Sequence, residues 1–164
     1  MLDLAHAAAM LSPAEATARR YTLVGLSAGA AAIHLYVVPE HLKEYWPFAV
    51  FFAGVAAFQA AWALAVLARP QRGLYGIGAV ASAGLVTLWA LSRTSGLPLG
   101  PEPWHPEAAS LPDVLAVALE SGLLLVIWGC QRFPPQEPRP QRRQRRSSPD
   151  PLGTWAAPES SRPR

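Results

Sequence analysis

The chain has one cysteine, Cys130, in 164 residues. A single thiol excludes an intramolecular disulfide and any zinc or iron–sulfur centre built from several cysteines. Cys130 ends an apolar run, where a small buried apolar residue is the simple reading. The chain also lacks a glycine-rich phosphate loop and the HExxH zinc motif. Ser92, Ser95 and Ser110 show no spacing that marks a nucleophile and its base, so catalysis has no support in the pattern. Charge is missing from long stretches. Between Tyr21 and Trp128 it is nearly confined to three short connections, with Glu120 and, near one end of a run, His34 as the exceptions. A soluble domain mixes polar and apolar residues with a helical or strand period. Apolar blocks separated by polar joints are the membrane pattern.

What is present is 51% hydrophobic. It falls into four spans of about 18 residues, residues 21–38, 48–67, 74–91 and 114–130, each long enough at ~1.5 Å per residue to cross a bilayer core. Residues 1–20 precede them. There Ser12, Pro13 and Glu15 have the spacing of a capping box, which fits a short surface helix as well as a disordered lead. Arg19-Arg20 before the first span also fit a twin-arginine export signal, with Ala28-Gly29-Ala30 as a cleavage pattern. Three further spans make a retained first helix the simpler reading.

The joints differ in kind. VVPEHLKEYWP (37–47) is a tight polar turn, and Arg69-Pro70-Gln71-Arg72-Gly73 is a compact one. In the third span Gly76, Gly78, Ala79, Ser82, Ala83 and Gly84 permit close helix contact. Residues 91–113, LSRTSGLPLGPEPWHPEAASLPD, form the longest polar interruption. Pro98, Pro101, Pro103 and Pro106 restrict its backbone. An ordered lid is expected, with Arg93 fixing it, Trp104 dipping into the interface and Asp113 capping the fourth span.

Residues 131–164 are rich in Arg and Pro and cannot bury a core, so a disordered tail is expected. Its Arg142, Arg143, Arg145 and Arg146 would attract anionic lipid. No aromatic interleaving accompanies them, and nucleic acid is not an expected partner.

Arg19, Arg20, Arg69, Arg72, Arg132 and the tail arginines fall on one side of a four-span hairpin, and only Lys43 and Arg93 on the other. The positive-inside rule makes the first side cytoplasmic. Tyr36, Tyr45, Trp46, Trp89 and Trp104 then lie near the outer interface, and Tyr21, Tyr75 and Trp128 near the inner one. The expected fold is all-α: an antiparallel four-helix bundle in the cell membrane, with both termini cytoplasmic, an ordered outer loop and a disordered basic C-terminal tail.

Orientation sorts the reactive groups. Glu40, His41, Glu44, Glu102, His105, Glu107 and Asp113 fall outside. His34 lies about one turn below that surface, and Glu120 roughly 10 Å below it at ~1.5 Å per residue. An ionised carboxylate there costs a few kcal/mol, so Glu120 must be protonated, paired or facing water. A proton relay, a cation ligand and a structural contact to Ser92 or Arg93 all remain open. His34 and His41 are seven apart and share a face if the helix continues past Pro39. His34, Glu40, His41, Glu44, His105, Glu107 and Glu120 are thus candidate ligands for a divalent or copper-type ion, or an outward-facing site for proton handling. The alternative is an accessory or scaffolding subunit that packs on a membrane partner and has no ligand site.

HLYVVPEHLKEYWPF (34–48), FQAAWA (58–63) and LSRTSGLPLGPEPWHPE (91–107), followed by Asp113 and Glu120, resemble small four-span integral membrane proteins of high-GC bacteria. The resemblance covers about 21–128. It implies a membrane location and carries no activity with it.

Overall fold

A computed structural model of the chain describes residues 12–132. Residues 1–11 and the tail, with Arg142, Arg143, Arg145 and Arg146, lie outside the described residues. Four helices follow in order: α1 Pro13–Glu44, α2 Trp46–Ala68, α3 Arg72–Thr94 and α4 Leu111–Arg132. All four are long and apolar enough to cross a membrane. They form an antiparallel bundle. The α1–α2 turn and residues 95–110 lie at one end, called here the loop end. The α2–α3 turn and both ends of the described chain lie at the other, the terminal end.

The capping box at Ser12 forms as its spacing requires: the Ser12 hydroxyl accepts from the Glu15 N–H, and the Glu15 carboxylate accepts from the Ser12 N–H. The helix it starts is not a separate surface piece. It runs unbroken for 32 residues, about 48 Å at ~1.5 Å per residue, with Pro39 inside it. Proline takes one N–H out of the ladder. Near a helix end that loss falls where water can reach the freed carbonyl. Tyr45 then closes α1, with its N–H on the His41 carbonyl (2.8 Å), and at the same time starts α2, where Pro47 sits in the first turn. The polar joint expected over 37–47 is thus mostly helix, and His34 and His41 do share a face.

Every helix turns one seam inward, with alternating spacings of three and four. In α1 it is Leu23, Ser27, Ala30, His34, Val37 and His41; in α2, Ala49, Phe52, Ala56, Gln59, Ala63 and Val66. In α3 it is Gly78, Ser82, Leu85, Trp89 and Ser92; in α4, Asp113, Ala116, Glu120, Leu123 and Ile127. This is the coiled-coil phase that suits helices crossing at small angles. Alanines along α1 and α2 let those two backbones approach closely. The terminal half has the dry core, formed by Leu23, Trp62, Val66, Leu123 and Ile127. There the Trp62 indole N–H bonds the Leu74 carbonyl (2.7 Å), and its ring lies over Gly78. A Cβ on Gly78 would come within 2.5 Å of that ring, so the small residues of α3 do admit a neighbour. Beyond this contact α2 and α3 touch little, while α1 packs on both α2 and α4, and α3 on α4.

Candidate functional site

The seams carry their polar residues into the loop half, and there the bundle is hollow. A cavity of about 430 Å³ is lined from all four helices and the loop. His34 and Glu120 lie at its floor, His41, Phe48, Phe52 and Trp89 form its walls, and Ser92, Arg93, Glu107 and Asp113 stand towards its mouth.

The floor is a hydrogen-bonded chain across three helices. Gln59 gives its side-chain N–H to Glu120 Oε1, and its Oε1 faces His34 Nδ1 at 3.0 Å. With the amide turned this way, His34 Nδ1 must be the donor. The Ser27 hydroxyl adds a bond to the Gln59 carbonyl (2.9 Å), fixing α2 against α1 at this level. All three side chains of the chain are 5% exposed or less. Burial of polar groups in an apolar bundle demands such pairing. One atom escapes it, for Glu120 Oε2 is buried and has no hydrogen-bond partner. The structural contact of Glu120 is to Gln59 and not to Ser92 or Arg93, two partners the sequence leaves open. Ser92 bonds the Trp89 carbonyl, and Arg93 is engaged elsewhere.

The walls are aromatic. Phe52 lies between the two histidine rings, stacked on His41 at 4.7 Å and on His34 at 5.6 Å. Phe48 meets His41 edge-on. Trp89 lines the cavity, and its indole N–H has no partner. Among the described residues, six buried side-chain polar atoms have no hydrogen bond. Four of the six, on His41, Trp89, Arg93 and Glu120, belong to residues that line this one cavity. The nearest acid to His41 Nδ1 is Glu44, at 3.7 Å.

The mouth is tied by Arg93. Its two terminal nitrogens reach Glu107 and Asp113, each at 2.6 Å, joining the end of α3, the loop and the start of α4. The Glu107 N–H also bonds the Ser92 carbonyl (3.0 Å). Asp113 does not cap α4 from outside the helix, as expected; it stands in the first turn and accepts from the Ser110 N–H and hydroxyl (2.8 and 2.6 Å). Ser110 is the capping residue, because an acid three residues on can reach back to its N–H. The loop itself is ordered by Trp104 N–H to the Leu97 carbonyl (2.7 Å), with Gly96 packed on the backbone of Trp104 and His105. Gly96 has φ +71°, a region that favours glycine.

The candidate ligands therefore divide. His34, His41, Glu107 and Glu120 line the cavity. Glu40, Glu44 and His105 are exposed and do not line it, and the Trp104 side chain is exposed as well. Among the described residues no three His, Cys, Asp or Glu side chains come together as a metal-ligand set. Gln59, in the polar chain, and Trp89, on the cavity wall, are positions that hydropathy alone passes over. Their signal is the seam phase, which puts Gln59 in register with Phe52 and Trp89 in register with Ser82 and Ser92. Comparison with protein-family models, curated proteins and solved structures finds no match.

Proposed function

We propose that this small multi-pass membrane protein handles protons at an outward-facing site, with Glu120 as the exchanging group and Gln59 and His34 as its coupled partners. The observation that carries this is Glu120 itself: one carboxyl oxygen held by Gln59, the other buried and unpartnered, on a residue that lines the cavity. An ionised carboxylate at such depth is costly unless a positive charge or water offsets it. Gln59 couples Glu120 to His34, because the same amide holds both. The charge bias of the joints supports placing the loop end outside and the termini in the cytoplasm. Among the described residues no three ligating side chains come together for a metal, so the proton form of the site is the one taken here.

Infrared difference spectroscopy of the detergent-purified protein tests this. The expected result is a protonated-carboxyl band that comes and goes with pH and is missing in Glu120→Gln. A spectrum identical in the two proteins at every pH removes the proposal and leaves an accessory subunit without a site.

A further inference from the structure

Exchange of a proton needs a path one water wide, of which each molecule takes about 30 Å³. The cavity holds about 430 Å³, within the range of small-molecule sites. Its walls are mostly apolar and aromatic, with Phe48, Phe51, Phe52 and Trp89 among them. Its charged lining is biased to one sign, since Arg93 stands alone against Glu107, Asp113 and Glu120. The two terminal nitrogens of Arg93 hold Glu107 and Asp113, and among the described residues no basic side chain pairs with Glu120. The cavity also borders the thinnest seam of the bundle, where α2 and α3 touch little. Phe51 lines the cavity and is 38% exposed.

We propose that the cavity binds a lipophilic organic cation, a compact aromatic or aliphatic body carrying one ammonium centre. The ammonium sits beside the unpartnered oxygen of Glu120, where it supplies the missing partner. The body lies among Phe48, Phe52 and Trp89, whose ring faces attract a nearby positive charge. An anion meets a lining of the wrong sign. A plain acyl chain leaves the Glu120 oxygen and the Trp89 N–H as unpartnered as before. The inference deepens the proton reading of the same site, because the oxygen that exchanges a proton is the one that meets the cation.

The test uses three probes of one shape: naphthylethylamine, naphthylethanol and naphthylacetate. Binding to the full-length protein in nanodiscs is compared with partition into empty discs. The amine is expected to bind at least about tenfold tighter than the alcohol, a difference of ~1.4 kcal/mol, and the acetate weakest. Glu120→Gln should erase the preference for the amine. Ala116→Phe, which fills the cavity from α4 without touching the polar chain, should abolish binding of the amine and gives a second reading if Glu120→Gln does not fold. Equal binding of amine and alcohol, a preference that survives Glu120→Gln, or no binding above empty discs overturns the proposal. The infrared titration of Glu120 is run without any probe, so the two readings fail separately. A titrating Glu120 with no amine preference sinks the cation site alone. An amine preference that depends on a non-titrating Glu120 supports the cation site and removes the proton reading.

Discussion

A glutamine at position 59 does what neither an acid nor a histidine does there. Its amide N–H satisfies Glu120 while its carbonyl oxygen satisfies His34, so two titratable groups on different helices are joined through a neutral link. Hydrogen bonds between helices in membranes average about 0.6 kcal/mol, whereas a stranded buried polar group costs about 1–3 kcal/mol. Gln59→Leu strands both His34 and Glu120, and the second effect dominates. The variant should lose about 2–4 kcal/mol of stability, read from unfolding by denaturing detergent with helix content as the signal. A loss well under 1 kcal/mol would mean that water already partners both groups. Glu120 and His34 were legible in the sequence because each interrupts an apolar run. Gln59 stood in plain view in the second span, but its role depends on which way it faces, and a uniformly apolar helix gives no hydropathy period from which to read that.

At the scale of the helix, the facing can be read from the opposite signal. Lipid accepts any apolar side chain, so the inward face is marked by small and polar residues, not by hydrophobic ones. Gly78, Ser82 and Ser92 in α3 follow this rule, as do Asp113 and Glu120 in α4; Trp89 and the dry core of the terminal half do not. Helix number and connections were legible for the reason that charge is excluded from the spans. The length of α1 was not, because Pro39 reads as a stop and only tertiary context shows it tolerated. Two elements give sharp tests. Gly78→Ala drives a methyl into the Trp62 ring and should cost about 1–3 kcal/mol. Trp62→Phe, which removes the clashing part of the ring, should recover part of that loss, giving a non-additive double-mutant cycle in the same unfolding measurement. Arg93→Gln leaves Glu107 and Asp113 facing each other without their cation and should free residues 95–110. Limited proteolysis of the folded protein is expected to cut this loop faster in the variant, with the helices intact; an unchanged rate would show that the backbone bonds of Trp104 and Glu107 hold the lid alone.

Across the whole molecule the charges are divided between the two ends. Within residues 12–132 the loop end has Lys43 and Arg93 against Glu40, Glu44, Glu102, Glu107 and Asp113, while the terminal end has Arg19, Arg20, Arg69, Arg72 and Arg132 against Glu15. The same asymmetry that argues for cytoplasmic termini makes the cavity mouth attractive to cations and protons. The hollow half and the dry half of the bundle follow from the same seams. Large apolar residues fill the terminal half, and alanine, histidine and acid leave space in the other. The cavity itself was not legible, since volume depends on how four seams meet and not on any one of them. The central claim is that Glu120 exchanges protons with the loop side, the side that the proposed orientation puts outside the cell. The most direct test reconstitutes the protein into sealed vesicles of known orientation and follows the Glu120 carboxyl band by infrared spectroscopy while the pH is stepped on one side at a time. The account predicts a response to pH on the loop side and none to pH on the terminal side, with no such band in Glu120→Gln. A band that follows the terminal side, or that ignores both, would contradict it.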